Sequence, residues 1–261
     1  MTGLDQSLAL EPAGEGAHAA HADPAYKGGA NMFGGWLAAI MLKAVLADAA
    51  AAGAPCAMTF NFIQGVPENS AITLKTQRLG GGRSLAHWRC DLFAEGVGLA
   101  VTATVVLATR RDSARLTQAA APEAPRPETL GEWHPPTRFG QNVDVRYVTA
   151  APWPNPGTTR SICWIRDMEQ RAVDALQLLV YCDALAPRSF FITPGPGPSA
   201  TITLSLYIHA TADELAAVGG DFVLQEVTGT RIEQSTSGSQ CNLWSRDGVL
   251  LATSEQLEWF K

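Results

Sequence analysis

Asp247-Gly248-Val249-Leu250-Leu251-Ala252 repeats, in register, the earlier stretch Glu95-Gly96-Val97-Gly98-Leu99-Ala100. In each, an acid and a glycine precede a valine, and a Leu-Ala pair follows at the same spacing. Acid-Gly between apolar strand formers signals a tight hairpin, because glycine supplies the positive φ that such a turn needs. The surroundings of the two hairpins also match. Upstream of the first, Gly34-Gly35-Trp36-Leu37-Ala38-Ala39-Ile40-Met41-Leu42-Lys43-Ala44-Val45-Leu46 is apolar nearly all round and rich in Ala, Leu and Met, the composition of a helix enclosed on most sides. Strand-like segments follow at 57–63, 71–79, 84–94 and 97–108, with a Gly80-Gly81-Gly82 turn between the second and third. Upstream of the second hairpin, strands are expected at 143–149 and 161–165. A helix is expected over 169–185, with Ala172, Leu176, Leu179 and Val180 on its apolar face. After a Pro/Gly breaker at 193–198 come strands at 200–209, 222–231, 237–244 and 249–260. A helix followed by four antiparallel strands, twice over, reads as a duplicated module.

Composition bounds what such a chain does. Its 261 residues, 46% hydrophobic and 17% charged, suffice for a large core, so neither disorder nor a disulfide-stapled scaffold fits. A net charge of -6 repels a polyanion, which argues against nucleic acid as a partner. The cysteines Cys56, Cys90, Cys163, Cys182 and Cys241 are scattered and lack any CxxC pair, so free thiols in a reducing cytoplasm are expected, with no thiolate metal site. The apolar run at 34–52 is broken by Lys43 and Asp48 and falls short of the about 20 residues a membrane span needs. Residues 109–141 are Pro-rich and without periodicity, and are read as a linker between an N-terminal half at 1–108 and a C-terminal half at 142–261. The first 22 residues read as a flexible leader.

An apolar helix wrapped by an antiparallel sheet, present twice, looks like a double hotdog: an α+β fold with two long central helices enclosed by one continuous sheet. Particular residues narrow the family. They are Cys163-Trp164-Ile165-Arg166, the helix end Tyr181-Cys182-Asp183-Ala184-Leu185, the strand Ala200-Thr201-Ile202 and the ending Val249-Leu250-Leu251-Ala252-Thr253-Ser254-Glu255-Gln256. Together they resemble the acyl-CoA thioesterase II family, and Phe33-Gly34-Gly35 and Gly82-Arg83-Ser84 fit it in the first half. The resemblance implies hydrolysis of an acyl-CoA thioester without metal or cofactor, by a homodimer or higher oligomer. It also implies a catalytic set of Asp183, Thr201 and Gln256. The short, Pro/Gly-loaded connection from Asp183 to Thr201 departs from the family pattern, so the placement of Thr201 is what a structure must test.

The residue types suit that chemistry on their own terms. Hydrolysis needs a water made nucleophilic beside the carbonyl carbon, and a carboxylate can take its proton while a hydroxyl and an amide orient it. Asp183 lies near a helix C-terminus, where an acid opposes the dipole, so some local compensation is required. Gly34 and Gly35, at a helix start, are expected to offer backbone N–H groups to an oxyanion. Arg83 is a candidate for a coenzyme A phosphate, and Trp36, Ile40 and Leu179 are expected to line or back an acyl tunnel between the helices. Aligning the hairpins places Thr104 opposite Gln256, so a single catalytic site is expected. Two other readings are a non-catalytic acyl-thioester binding module and a hotdog enoyl-thioester hydratase or dehydratase. The latter generally employs a His with an acid, and Asp183 is followed by Ala-Leu-Ala-Pro-Arg.

Overall fold

The computed structural model describes residues 3–149, 151–153 and 157–261. Among them the strands form one twelve-stranded sheet. The first half contributes β1 (Glu11–Pro12), β2 (Ala17–His21), β3 (Ala54–Phe62), β4 (Ala71–Gly81), β5 (Leu85–Ala94) and β6 (Gly98–Ala108). The second half contributes β7 (Val143–Tyr147), β8 (Ser161–Asp167), β9 (Ser199–Ile208), β10 (Val223–Glu233), β11 (Thr236–Trp244) and β12 (Leu250–Phe260). Their spatial order is β1-β2-β4-β5-β6-β3-β9-β12-β11-β10-β8-β7, so the arrangement of one half is repeated in reverse by the other. The halves meet where β3 pairs antiparallel with β9, from Ala57↔Tyr207 to Asn61↔Thr203, and the hydroxyls of Thr59 and Ser205 lie 3.0 Å apart across the seam. Neither half has a closed sheet of its own at this edge, which is why the chain folds as one body.

The helices are α1 (Leu4–Ser7), α2 (Gly34–Ala47), α3 (Ala175–Asp183) and α4 (Ala212–Val218). Helix α2 is long and apolar as its composition requires, with Trp36 to Leu42 entirely within the core, and it packs on α3 and on β4, β5 and β6. Two wrapped helices under a continuous antiparallel sheet realise the expected double hotdog. The paired hairpins use their glycines as expected: Gly96 has φ 73° and Gly248 φ 81°. No helix among the described residues is long and apolar enough to cross a membrane.

Three expectations are corrected. The described part of the leader, residues 3–22, is folded; residues 1 and 2 lie outside the described residues. Strand β2 pairs with β4 from Ala17↔Lys75 to His21↔Ala71, while Leu4 and Leu8 are buried. The Trp36 indole N–H donates to Ser7 Oγ at 3.0 Å, and Asp5 binds Arg171. Strand β2 therefore stands before α2 as β8 stands before α3, and each module has a strand ahead of its helix. Second, α3 begins at Ala175 rather than 169, because Asp167 Oδ1 accepts from the amides of Glu169 and Arg171 and holds that segment in a turn. Asp174 then caps the helix, accepting from Gln177 N at 2.9 Å. Third, the exposed helix α4 was not expected, although Thr211 and Glu214 form a reciprocal capping box. The Pro-rich linker is anchored at its end, where Phe139 stacks on Phe33 at 3.9 Å just before α2.

Leu8 is completely buried, so Leu8→Ala is expected to cost about 2–5 kcal/mol in urea unfolding. A loss below about 0.5 kcal/mol would show that the N-terminal segment does not belong to the core.

Candidate active site

Helices α2 and α3 pass each other so that the C-terminus of α3 meets the N-terminus of α2. Asp183, the last residue of α3, is 8% exposed and directs its carboxylate into that junction. Its Oδ2 accepts the backbone N–H of Gly35 at 2.6 Å. Its Oδ1 accepts the Gln256 side-chain amide at 2.6 Å and the Thr201 hydroxyl at 3.4 Å. The same Gln256 nitrogen donates to Thr201 Oγ1 at 2.8 Å. Strands β9 and β12 bring these side chains in: Thr201 and Gln256 lie on the two adjacent, antiparallel strands in the same stretch of their ladder, where Gln256 pairs with Leu204 and Glu258 with Thr201, and both are half-buried. The short connection after Asp183 therefore does deliver Thr201, using a 3-10 turn at Arg188–Phe191.

The compensation that an acid at a helix C-terminus requires comes from the neighbouring helix. Helix α2 presents its positive end and an amide donor to the carboxylate. Glycine is needed for this approach. A Cβ on Gly34 would stand 2.7 Å from Asp183 Oδ2, and one on Gly35 would stand 2.7 Å from the Phe33 ring and 3.0 Å from the Leu179 carbonyl oxygen. Burial, with the charge of Glu258 adding to it, raises the Asp183 carboxyl from the ordinary 3.8 to about 7, against the lowering effect of Gly35, Gln256 and Thr201. A carboxylate offers about four lone-pair positions and three are taken, which leaves one for water.

Other expected residues fall elsewhere. The Gly35 amide is committed to Asp183, so it does not face an oxyanion as expected; Gly34 remains at the helix start beside it. Arg83 lies in the β4–β5 hairpin, at the end of the sheet where Leu85 pairs with Ala108 and Ala108 with Ala54. The site is at the opposite end, where Val101 pairs with Phe62 and the Phe62 ring sits against Gly34, so Arg83 is not brought to Asp183. Trp36, Ile40 and Leu179 are all fully buried core residues, with Trp36 tied to Ser7. Thr104 is exposed and points away from the helices. Its inward neighbour Val105 pairs with Met58 of β3 as Gln256 pairs with Leu204 of β9, so an apolar side chain occupies the first-half position of Gln256. One group near Asp183 was missed, the buried Glu258, whose carboxyl accepts the backbone N–H of the buried Arg188 at 3.3 Å. The period of two along β12 was the available signal, since it puts Glu258 on the face of Gln256.

Two helices wrapped by one continuous antiparallel sheet, in two matching halves, define a double hotdog protein. Family models agree with that description over nearly the whole chain: residues 22–108 match the acyl-CoA thioesterase N-terminal domain and residues 118–259 the acyl-CoA thioesterase C-terminal domain. The chain belongs to the acyl-CoA thioesterase family. Among solved structures it is similar to a conserved hot dog fold protein of unknown function from Alicyclobacillus acidocaldarius, at 27% identity and TM-score 0.94, over 99% of this chain and 97% of that one. It shares the fold of the tesB protein of Mycobacterium avium subs paratuberculosis, at 21% identity and TM-score 0.81, over 99% and 98% of the two chains. It likewise shares the fold of the acyl-CoA thioesterase II TesB2 of Mycobacterium marinum, at 15% identity and TM-score 0.77, over 99% and 98%. No curated protein matches the chain.

Because the Asp183 carboxyl binds its proton more tightly folded than unfolded, its contribution to stability falls as pH rises from about 4 to about 7 and is level beyond. Asp183→Asn is therefore expected to melt no lower than wild type at pH 4 and higher at pH 8, by calorimetry. Equal melting temperatures at pH 8 would contradict a costly buried charge.

Proposed function

We propose that this chain hydrolyses acyl-CoA thioesters, with Asp183 as the general base. The observation that carries this reading is the Asp183 carboxylate, held by Gly35, Gln256 and Thr201 with one acceptor position left over. A water in that position gives its proton to Asp183 as its oxygen adds to the thioester carbon. The Gln256 amide carbonyl and the Thr201 hydroxyl oxygen are the groups suited to orient it. The carbonyl oxygen gathers negative charge, and the first turn of α2, whose N–H groups have no acceptors within the helix, is where Gly34 would stabilise it. The tetrahedral intermediate then expels the thiolate, and the proton on Asp183 returns to the leaving sulfur. Free acid and free thiol result, and the carboxylate is restored.

A base with a pKa near 7 suits this role, since it is largely ionised just above neutrality yet still basic. The acyl chain enters between α2 and α3 in this reading, and the fully buried Trp36, Ile40 and Leu179, the last with its carbonyl packed at Gly35, would back its tunnel from the core and not line it. The hydratase alternative lacks support in the site, because among the described residues the groups hydrogen-bonded to Asp183 are Gly35, Thr201 and Gln256, without a histidine. Action in the cytoplasm as a homodimer or larger assembly belongs to the same proposal.

The test is thiol release from acyl-CoAs of graded chain length. Wild type is expected to release thiol, and Asp183→Asn to lose about 10²- to 10⁴-fold in kcat. Saturable acyl-CoA binding without release by the wild type would establish a binding module instead. Release unaffected by Asp183→Asn would remove Asp183 from the mechanism.

A further inference from the structure

Glu258 is an unusual residue to find inside this fold. It is 6% exposed, on the inward face of β12, two positions beyond Gln256. A register shift between Leu257 and Glu258 brings it directly opposite Thr201 on β9. Residues opposite each other in an antiparallel pair have Cβ atoms about 4.5–5.5 Å apart, so the Glu258 side chain flanks the hydroxyl that donates to Asp183. The chain that follows Asp183 returns to the same place: Glu258 Oε2 accepts the backbone N–H of Arg188 at 3.3 Å. The Arg188 guanidinium is buried as well, but it is turned elsewhere, toward the carbonyls of Ala186 and Thr159, the hydroxyl of Ser161 and the ring of Phe191. Two buried carboxyls thus share one polar corner, and the nearby cation does not grip the second.

We propose that Glu258 is a positioning residue that acts through Asp183, the two carboxyls forming a coupled pair that holds one proton between them around neutral pH. This rests on the reading of Asp183 as the base. Like charges in one dry corner resist simultaneous ionisation, so the pair loses its protons in two steps that belong to both groups. Burial raises Glu258 to about 7, with the Arg188 charge and amide working against it, and the Glu258 charge is in turn the second cause of the rise at Asp183. Among the described residues, Cys182 on α3 faces Asp183, while Tyr147 on β7, Cys163 on β8 and Cys241 on β11 surround the Arg188 guanidinium next to Glu258. Burial pushes all four upward, so they stay neutral in the range that matters. The pair's consequence is a base kept protonated below neutrality and ready just above it.

The experiment compares wild type, Glu258→Gln and Glu258→Asp. Carboxyl carbon-13 titrations by NMR, with Asp183 assigned through Asp183→Asn, do not depend on turnover. In Glu258→Gln the Asp183 midpoint is expected to fall by about one pH unit, while Glu258→Asp keeps it near the wild-type value. The acid limb of kcat/KM for thiol release from acyl-CoA should move by the same amount. An Asp183 midpoint unchanged in a folded Glu258→Gln would overturn the proposal. Should that variant fail to fold, wild type alone decides. Coupling requires the Asp183 and Glu258 carbons to move together through the same two steps, and one separate, unrelated step for each would refute it. If no acyl-CoA is hydrolysed, the proposed activity fails while the titration still decides the pairing.

Discussion

The hydrogen bond from the Gly35 amide to the Asp183 carboxylate joins the two halves of the molecule at the junction of α2 and α3, where the proposed chemistry would take place. An ionised acid at the end of its own helix and out of contact with water is doubly disfavoured. The positive end of α2 offsets part of that cost, and it can do so only because two glycines let the helices approach. The packing of the helices therefore both buries Asp183, which raises its proton affinity, and supplies the Gly35 amide, which partly lowers it. Were α2 moved by the width of a methyl group, the carboxylate would lose its main donor and keep its burial.

Among the described residues, the Asp-Thr-Gln cluster of this junction is not repeated at the equivalent position of the first half. Pseudo-symmetry gives the first half an inward position equivalent to that of Gln256, but Val105 fills it. At the other end of the helix pair, the start of α3 is closed by its own cap Asp174, which is also bound by Arg171, itself held by Asp5 from the N-terminal segment. One end of the helix pair is thus open to chemistry and the other is sealed by ion pairs and side-chain capping. The N-terminal segment contributes to that seal, and through Ser7 and Trp36 it also steadies α2.

Much of this was legible in the sequence where local rules suffice. The Asp-Gly and Glu-Gly hairpins, the alternating strands and the all-apolar α2 follow from turn chemistry and periodicity. Asp183, Thr201 and Gln256 were legible through their family resemblance and suited by residue type to water activation. Strand β2 was not, because Ala-His-Ala-Ala-His has little strand preference and forms only against β4. The start of α3 was misread because Asp167 and Asp174 compete for its backbone amides, a contest the apolar spacing does not record. Arg83 illustrates a different limit: glycines beside a cation say nothing about which end of a sheet they occupy. Gly35 was placed correctly at the helix start, yet its amide faces Asp183 because of a helix-to-helix contact across 148 residues.

In the proposed mechanism Asp183 takes a proton from water and does not itself attack the thioester. A single turnover in water enriched in oxygen-18, with enzyme in excess over acyl-CoA, separates these routes most directly. If Asp183 is the base, the released acid carries one heavy oxygen in that first turnover and the Asp183 carboxyl carries none. An unlabelled acid, with the heavy oxygen found in the Asp183 carboxyl, would mean that a mixed anhydride had formed and would contradict the claim.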